Sequence, residues 1–326
     1  MRSTPTASRS RTGASARARR SGTGSSAPRT GLRRGCDWRV GRCGTSRTTC
    51  SSAWAGGWSA RPQGVPPEGP IRWVVYTTDP AYNARPMELI NAADDLNRAL
   101  ARLRFAEPVT HVYNPMVYGR RNYVAYVEAF GQGPKQAIFL GMNPGPWGMA
   151  QTGVPFGDAS VVKEWMKIGH AVDRPRHEHP KRPVLGLDCA RSEVSGTRLW
   201  GAVRQHFGTP RRFFERFFVA NYCPLCFMEQ SGRNRTPDRL AVEERTALFE
   251  ACDEHLRRVV RALGPRLVVG IGAFAAGRAR VALEGMDLTV GQVLHPSPAS
   301  PAANQGWENK VRGELQQLGL CVTPSC

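Results

Sequence analysis

The chain of 326 residues has no apolar run of 18 or more, so the sequence offers no candidate membrane span. It has no Gly-x-x-x-x-Gly-Lys-Ser/Thr motif, which removes the commonest phosphate-cradling loop. The single C-x-x-C, Cys223-Pro224-Leu225-Cys226, is joined by no second pair and no His-x₃₋₅-His. A zinc or iron–sulfur site needs those further ligands, so structural cysteines are expected and neither metal nor cofactor. The nine cysteines are an odd number without a signal peptide, which argues against a disulfide framework. Val269-Gly270-Ile271-Gly272-Ala273-Phe274-Ala275-Ala276-Gly277 resembles a dinucleotide fingerprint only superficially. Its glycine spacing is wrong and no acidic residue ends the following strand, so it reads as a tight strand-to-helix turn.

Acidic residues are scarce at the start of the chain. Residues 1–70 hold 13 Arg, no Lys, and only Asp37 and Glu68 as acids. This head is rich in Ser, Thr, Gly and Ala without apolar periodicity, and is expected to be disordered. It reads as a solvated tail or an upstream start, as an arm that attracts nucleic acid, or as an Arg/Ser-rich transit peptide. Cys36, Cys43 and Cys50 lie inside it. The whole chain carries +19, and residues 71–326, with 32 basic and 24 acidic side chains, stay basic without the head. That balance favours an anionic partner. Residues 71–326 are expected to form one catalytic domain.

What remains is an alternation of elements. Helical spacing covers Arg85–Arg104, with Pro86 suited to the first turn, and an aromatic, basic stretch runs from Tyr113 to Tyr126. Strands are predicted near 136–142, 216–220, 266–271 and 288–294. Helices are predicted near 159–168, 196–206, 240–263, 273–285 and 307–318, within or after a loop-rich region from Asn143 to Gly196. Strands alternating with helices imply right-handed crossovers and a parallel sheet covered on both faces. All the loops that follow the strands then open on one edge, which collects Asn143, Asn221, Gly272 and His295. Such an edge is where open α/β sheets build sites.

Taken singly, an Asn in a Gly/Pro loop more often satisfies backbone groups than performs chemistry. The same holds for Asn221 and for His295 before two prolines. Their joint placement at the ends of separate strands changes the reading. An amide can orient a water, a second amide can read a donor/acceptor edge, and an imidazole can donate to a developing anion. Phe156, in Gly153-Val154-Pro155-Phe156-Gly157, suits either the core or a stacking platform for a flat ligand.

The motifs Gly141-Met142-Asn143-Pro144-Gly145-Pro146, Gly148-Met149-Ala150-Gln151-Thr152-Gly153-Val154-Pro155-Phe156-Gly157 and His295-Pro296-Ser297-Pro298 resemble those of the single-strand-selective monofunctional uracil-DNA glycosylases. Glu178 to Gly186, Ser192 to Gly196, Cys223-Pro224-Leu225 and Ser231 to Asn234 match as well. The resemblance runs from about residue 110 to 320. It implies a three-layer α/β/α fold around a four-stranded parallel sheet. It also implies hydrolysis of the bond joining deoxyribose to uracil, or to a 5-substituted or oxidised uracil such as 5-hydroxymethyluracil, leaving an abasic site for base excision repair.

By matching motif, Asn143 would position water and His295 would stabilise the departing base, Phe156 would stack on it, and Asn221 would bond its O4/N3–H edge. Met142, Gly145 and Met149 would shape the pocket. Lys181, Arg182, Arg233, Arg235 and the loop Pro296, Ser297, Pro298, Ala299 are the candidates for holding DNA, single-stranded or duplex. Ala299 departs from the family, whose vertebrate members carry Arg there to fill the gap left by the flipped base. Trp147 stands where they have Phe. A monomer is expected, soluble and inside the cell, in the nucleus of a eukaryote or the cytoplasm and nucleoid of a bacterium. Two other readings stay open: a glycosylase of a sister family, and a non-catalytic DNA-binding module on the same fold.

Overall fold

The computed structural model describes residues 80–321. The reading of residues 1–70 as a disordered head, with its three cysteines, lies outside the described residues. In chain order the elements are α1 (Pro80–Leu100), β1 (Val109–Tyr113), α2 (Pro115–Tyr118), α3 (Arg120–Phe130), β2 (Ala137–Gly141) and α4 (Met149–Thr152). They continue with α5 (Val194–Phe207), α6 (Pro210–Phe214), β3 (Phe217–Asn221), β4 (Cys226–Glu229), β5 (Asn234–Arg235) and α7 (Val242–Leu263). The last are β6 (Leu267–Ile271), α8 (Ala273–Ala282), β7 (Thr289–Val293) and α9 (Trp307–Gln317).

The four expected strands form one parallel sheet in the order β3-β2-β6-β7. Every residue of β2 and β6 is buried, as continuous apolar runs in the middle of a covered sheet should be. On β7, Thr289 and Gln292 stay exposed, which suits an edge strand. α7 packs on α1 and α8, whereas α5 packs on α6 and α9. Right-handed crossovers put these two groups on opposite faces, giving three layers. The chain leaves β2 toward one face and β6 toward the other, so the reversal point falls between β2 and β6. Open α/β sheets bind ligands just outside the carboxyl ends of the strands at that point.

Some local expectations give way. Pro86 lies inside α1 rather than in its first turn, because the helix reaches back to Pro80. Of the expected 159–168 helix, Ala159 and Ser160 are helical and Val161–Trp165 form a single π turn, where the helix stops. A second, three-stranded antiparallel sheet, β1-β4-β5, was not anticipated. Its strands β4 and β5 are too short to show a period-2 pattern. The Gly-rich turn after β6 behaves as expected: a Cβ at Gly270 would lie 2.3 Å from the Ala276 nitrogen, so the glycine lets α8 approach its strand.

Candidate active site

Strand register sets the site. Gly141 pairs with Asn221, and Ile271 pairs with Val293, forming one row across the sheet. Asn221 lies in that row, and Asn143 and His295 each lie two residues beyond it. The ladder between β2 and β3 runs on past the strands, with Tyr222 N–H donating to the Gly141 carbonyl and Cys223 N–H to the Met142 carbonyl, each at 2.9 Å. This is the work of the C-x-x-C segment. Both its cysteines are buried free thiols, Cys226 donating to Asn234 Oδ1 at 3.6 Å, and burial pushes the Cys226 thiol far up. Among the described residues no group of His, Cys, Asp and Glu could hold a metal ion.

Asn143 donates its amide to the Leu225 carbonyl at 3.0 Å. That fixes the side chain by its donor and leaves Oδ1 as the acceptor, which is the end a water needs. Asn221 donates its amide to the Met149 sulfur at 3.2 Å. Met149 is itself buried. The ring of Phe156 and Oδ1 of Asn221 both crowd Gly141: a Cβ there would meet Phe156 Cε2 and Asn221 Oδ1 at 2.5 Å. Gly141 is the floor on which an amide and an aromatic ring come together.

Phe156 is held in the left-handed region, with φ 54°. A non-glycine residue persists there only when its surroundings dictate it. Trp200 Nε1 donates to its carbonyl at 3.0 Å, and Gly196 lies so close that a Cβ would sit 2.4 Å from that oxygen. Both partners belong to α5.

His295 leans on Gly272, where a Cβ would meet the imidazole Cδ2 at 3.4 Å. Ser297 N–H donates to His295 Nδ1 at 3.0 Å, so Nδ1 is the acceptor and Nε2 carries the proton. Burial holds the imidazole below its ordinary value, so it is neutral at pH 7 and still a donor. Trp307 Nε1 donates to the Leu294 carbonyl at 2.8 Å, and Leu294 N–H donates to Glu314 at 2.7 Å, which anchors the strand end to α9. Pro296 is buried, while Pro298 and Ala299 are exposed at the loop tip, where Ala299 offers no long side chain.

Three further residues escaped sequence reasoning. Gln151, fully buried, donates to the Pro146 and Pro183 carbonyls and accepts from Leu185 N–H. It rivets the Asn143 loop to the segment carrying Lys181 and Arg182. Arg198 donates to the Pro296 carbonyl at 3.0 Å and to Asn304 Oδ1 at 2.9 Å, bracing the His295 loop from α5. The Glu193 carboxylate rests on Gly145 and Gly148, with the Gly145 N–H turned to it. Its burial, and then the nearby Asp158, push that carboxyl up to about 7. Gly145 is thus engaged with Glu193 as well as placed beside Asn143.

Of the basic candidates, Lys181 and Arg233 are exposed and Arg182 is half-buried. Arg235 is committed elsewhere, paired with Glu229 at 3.0 Å and donating to the Arg239 carbonyl at 2.9 Å. A lysine nucleophile would need a depressed pKa, and Lys135 has one, lowered by burial to about 8. It precedes β2, at the amino edge of the sheet, and donates to the Phe214 carbonyl, so it faces away from this chemistry.

The chain has relatives among known proteins. The uracil DNA glycosylase superfamily profile matches residues 130–316. The rat (Rattus norvegicus) single-strand selective monofunctional uracil-DNA glycosylase is 54% identical over 227 residues, 69% of this chain and 82% of that protein. The mouse (Mus musculus) protein of the same name is 53% identical, covering 69% of this chain and 81% of its own. The bovine (Bos taurus) one is 52% identical, covering 69% and 84%. The crystal structure of wild-type Pedobacter heparinus SMUG2 matches with a TM-score of 0.50 at 18% identity, over 70% of this chain and 98% of that one, a likeness of fold. The chain therefore belongs to the uracil-DNA glycosylase superfamily. Within it, the chain is a member of the single-strand selective monofunctional family.

Proposed function

We propose that the protein is a monofunctional DNA glycosylase that releases uracil from DNA with water as the nucleophile. The observation that carries this reading is the meeting, at one sheet edge, of an amide with a free acceptor and a neutral imidazole with a fixed Nε2–H donor. The bond between the sugar C1′ and base N1 breaks with its electron pair going to the base. The oxocarbenium-like sugar is then taken by the oxygen of a water held on Asn143 Oδ1, and the water's proton is released. His295 donates to O2, where the charge of the departing uracil gathers. One preorganised donor of that kind contributes about 3–4 kcal/mol of barrier reduction. Asn221 pairs with the O4/N3–H edge, and Phe156 supports the ring from Gly141. The base reaches this edge only when unpaired or flipped out of a duplex.

Among the described residues no strand of the parallel sheet ends in a lysine, so no Schiff base forms and the strand stays intact after release. The reading extends to 5-hydroxymethyluracil. The Glu193 carboxyl at the Gly145–Gly148 turn is a polar partner that a 5-hydroxymethyl group can use and a 5-methyl group cannot. The test incubates the full chain with single- and double-stranded oligonucleotides bearing one uracil, 5-hydroxymethyluracil or thymine. Expected are free uracil and 5-hydroxymethyluracil, an alkali-labile site and no cut before alkali. No base released from any substrate, or strand cleavage without alkali, would overturn the proposal.

A further inference from the structure

Trp147 lies four residues beyond Asn143, in the same Gly/Pro loop, and its indole carries two guanidiniums. Arg182 Cζ is 5.2 Å and Arg191 Cζ 4.6 Å from the ring centroid. Arg182 is fastened by carbonyls alone: Nε donates to Gly232 and Nη1 to Lys181, each at 3.0 Å. Carbonyls fix direction without cancelling charge. Many other arginines among the described residues have a carboxylate within ion-pair range, but neither of these two is in such a pair. Arg191 is exposed as well.

Two like charges gathered on one ring repel each other unless an anion joins them. The indole face offsets part of that repulsion and orients both groups. The cluster also borders the reacting centre. Gln151 ties Pro146, next to Trp147, to Pro183, next to Arg182. The bond from Arg182 to Gly232 brings the turn bearing exposed Arg233 to the same rim.

Resting on the glycosylase reading, we propose that Arg182, Trp147 and Arg191 form a subsite for a backbone phosphate adjoining the extruded nucleotide on the same strand. Phosphate suits it because guanidinium forks bind phosphate oxygens, and Trp147 holds both forks ready before DNA arrives. A larger ring than Phe at this position extends the surface on which the two cations rest.

The test measures binding of the full chain to a short single strand carrying one 2′-fluoro-2′-deoxyuridine, an analogue that resists cleavage. The double variant Arg182→Gln/Arg191→Gln should lower the slope of log affinity against log salt by about 0.7, the value for one phosphate contact on a single strand, and each single variant by part of that. Trp147→Ala should reproduce the loss of both, and Trp147→Phe should retain most of the slope. In parallel, each phosphate near the lesion is replaced in turn by a neutral methylphosphonate. Wild type should lose affinity at one position, and Arg191→Gln should lose less there. Slopes equal to wild type in both arginine variants, or indifference of wild type to every methylphosphonate, would overturn the subsite. Uracil release by wild type, measured on the unfluorinated strand, separates the two ideas. Release with unchanged slopes removes the subsite alone, and absence of release removes the glycosylase reading.

Discussion

From Asn143 to Phe156 the chain is fastened from within. Buried Gln151 ties Pro146 to 183–185, Thr152 Oγ1 donates to the Gly157 carbonyl, and Trp200 holds the strained Phe156. The loop after His295 is fastened from outside. Arg198 reaches Pro296 and exposed Asn304, and Asn304 donates back to the Pro298 carbonyl at 2.9 Å. The first segment is part of the core, so its geometry is guaranteed by folding. The second is a surface strap, and its geometry depends on a few contacts that can be lost without unfolding anything. The difference suits the proposed division of labour, since a water and a flat base need a rigid pocket while the other loop must meet a DNA strand.

The comparison can be broken most severely at His295 itself. His295→Ala should lower kcat for uracil release by roughly 10²–10³-fold, the usual worth of one preorganised donor, with Tm within a degree or two of wild type. Gln151→Ala attacks the inner segment. It strands three part-buried backbone groups and should destabilise the protein by about 1–3 kcal/mol in urea unfolding. Arg198→Ala attacks the outer strap. Stability should change by less than about 1 kcal/mol, because the contacts are at the surface, while kcat falls roughly tenfold. Equal stability losses in the two variants would abolish the distinction drawn here.

A pH effect sharpens the inner segment's electrostatics. Glu193, near 4.5 when unfolded, is pushed up to about 7 in the folded protein. The folded state therefore holds that proton more tightly than the unfolded one, and stability declines as pH rises from about 4.5 through 7. Glu193→Gln should remove this decline, gaining at most about 3 kcal/mol over wild type at pH 8 relative to pH 5. Chemical unfolding of both proteins at the two pH values checks it, and parallel curves would show that Glu193 is not the group responsible.

The parts visible in the sequence were those with local signatures. Each strand of the parallel sheet is an apolar run ended by Gly, Asn or Pro, so its limits and the residue it delivers were readable. That is why Asn143, Asn221 and His295 can be grouped from the sequence alone. The supports were not readable, because they join residues far apart along the chain. Trp200 meets Phe156, and Arg198 meets Pro296 and Asn304, through the pitch of α5 against loops it does not adjoin. Arg235 looked like its basic neighbours, and only the fold reveals Glu229 beside it. The antiparallel sheet stayed hidden because β5 spans only Asn234–Arg235.

The most direct trial of the account is the single-turnover rate of uracil release from a single-stranded oligonucleotide with one uracil, wild type against Asn143→Ala. If Asn143 holds the attacking water on its free Oδ1, the variant should fold normally, bind the strand, and release uracil at least about 10²-fold more slowly. Release at the wild-type rate would mean that the water is positioned by another group, and that this sheet edge does not work as described.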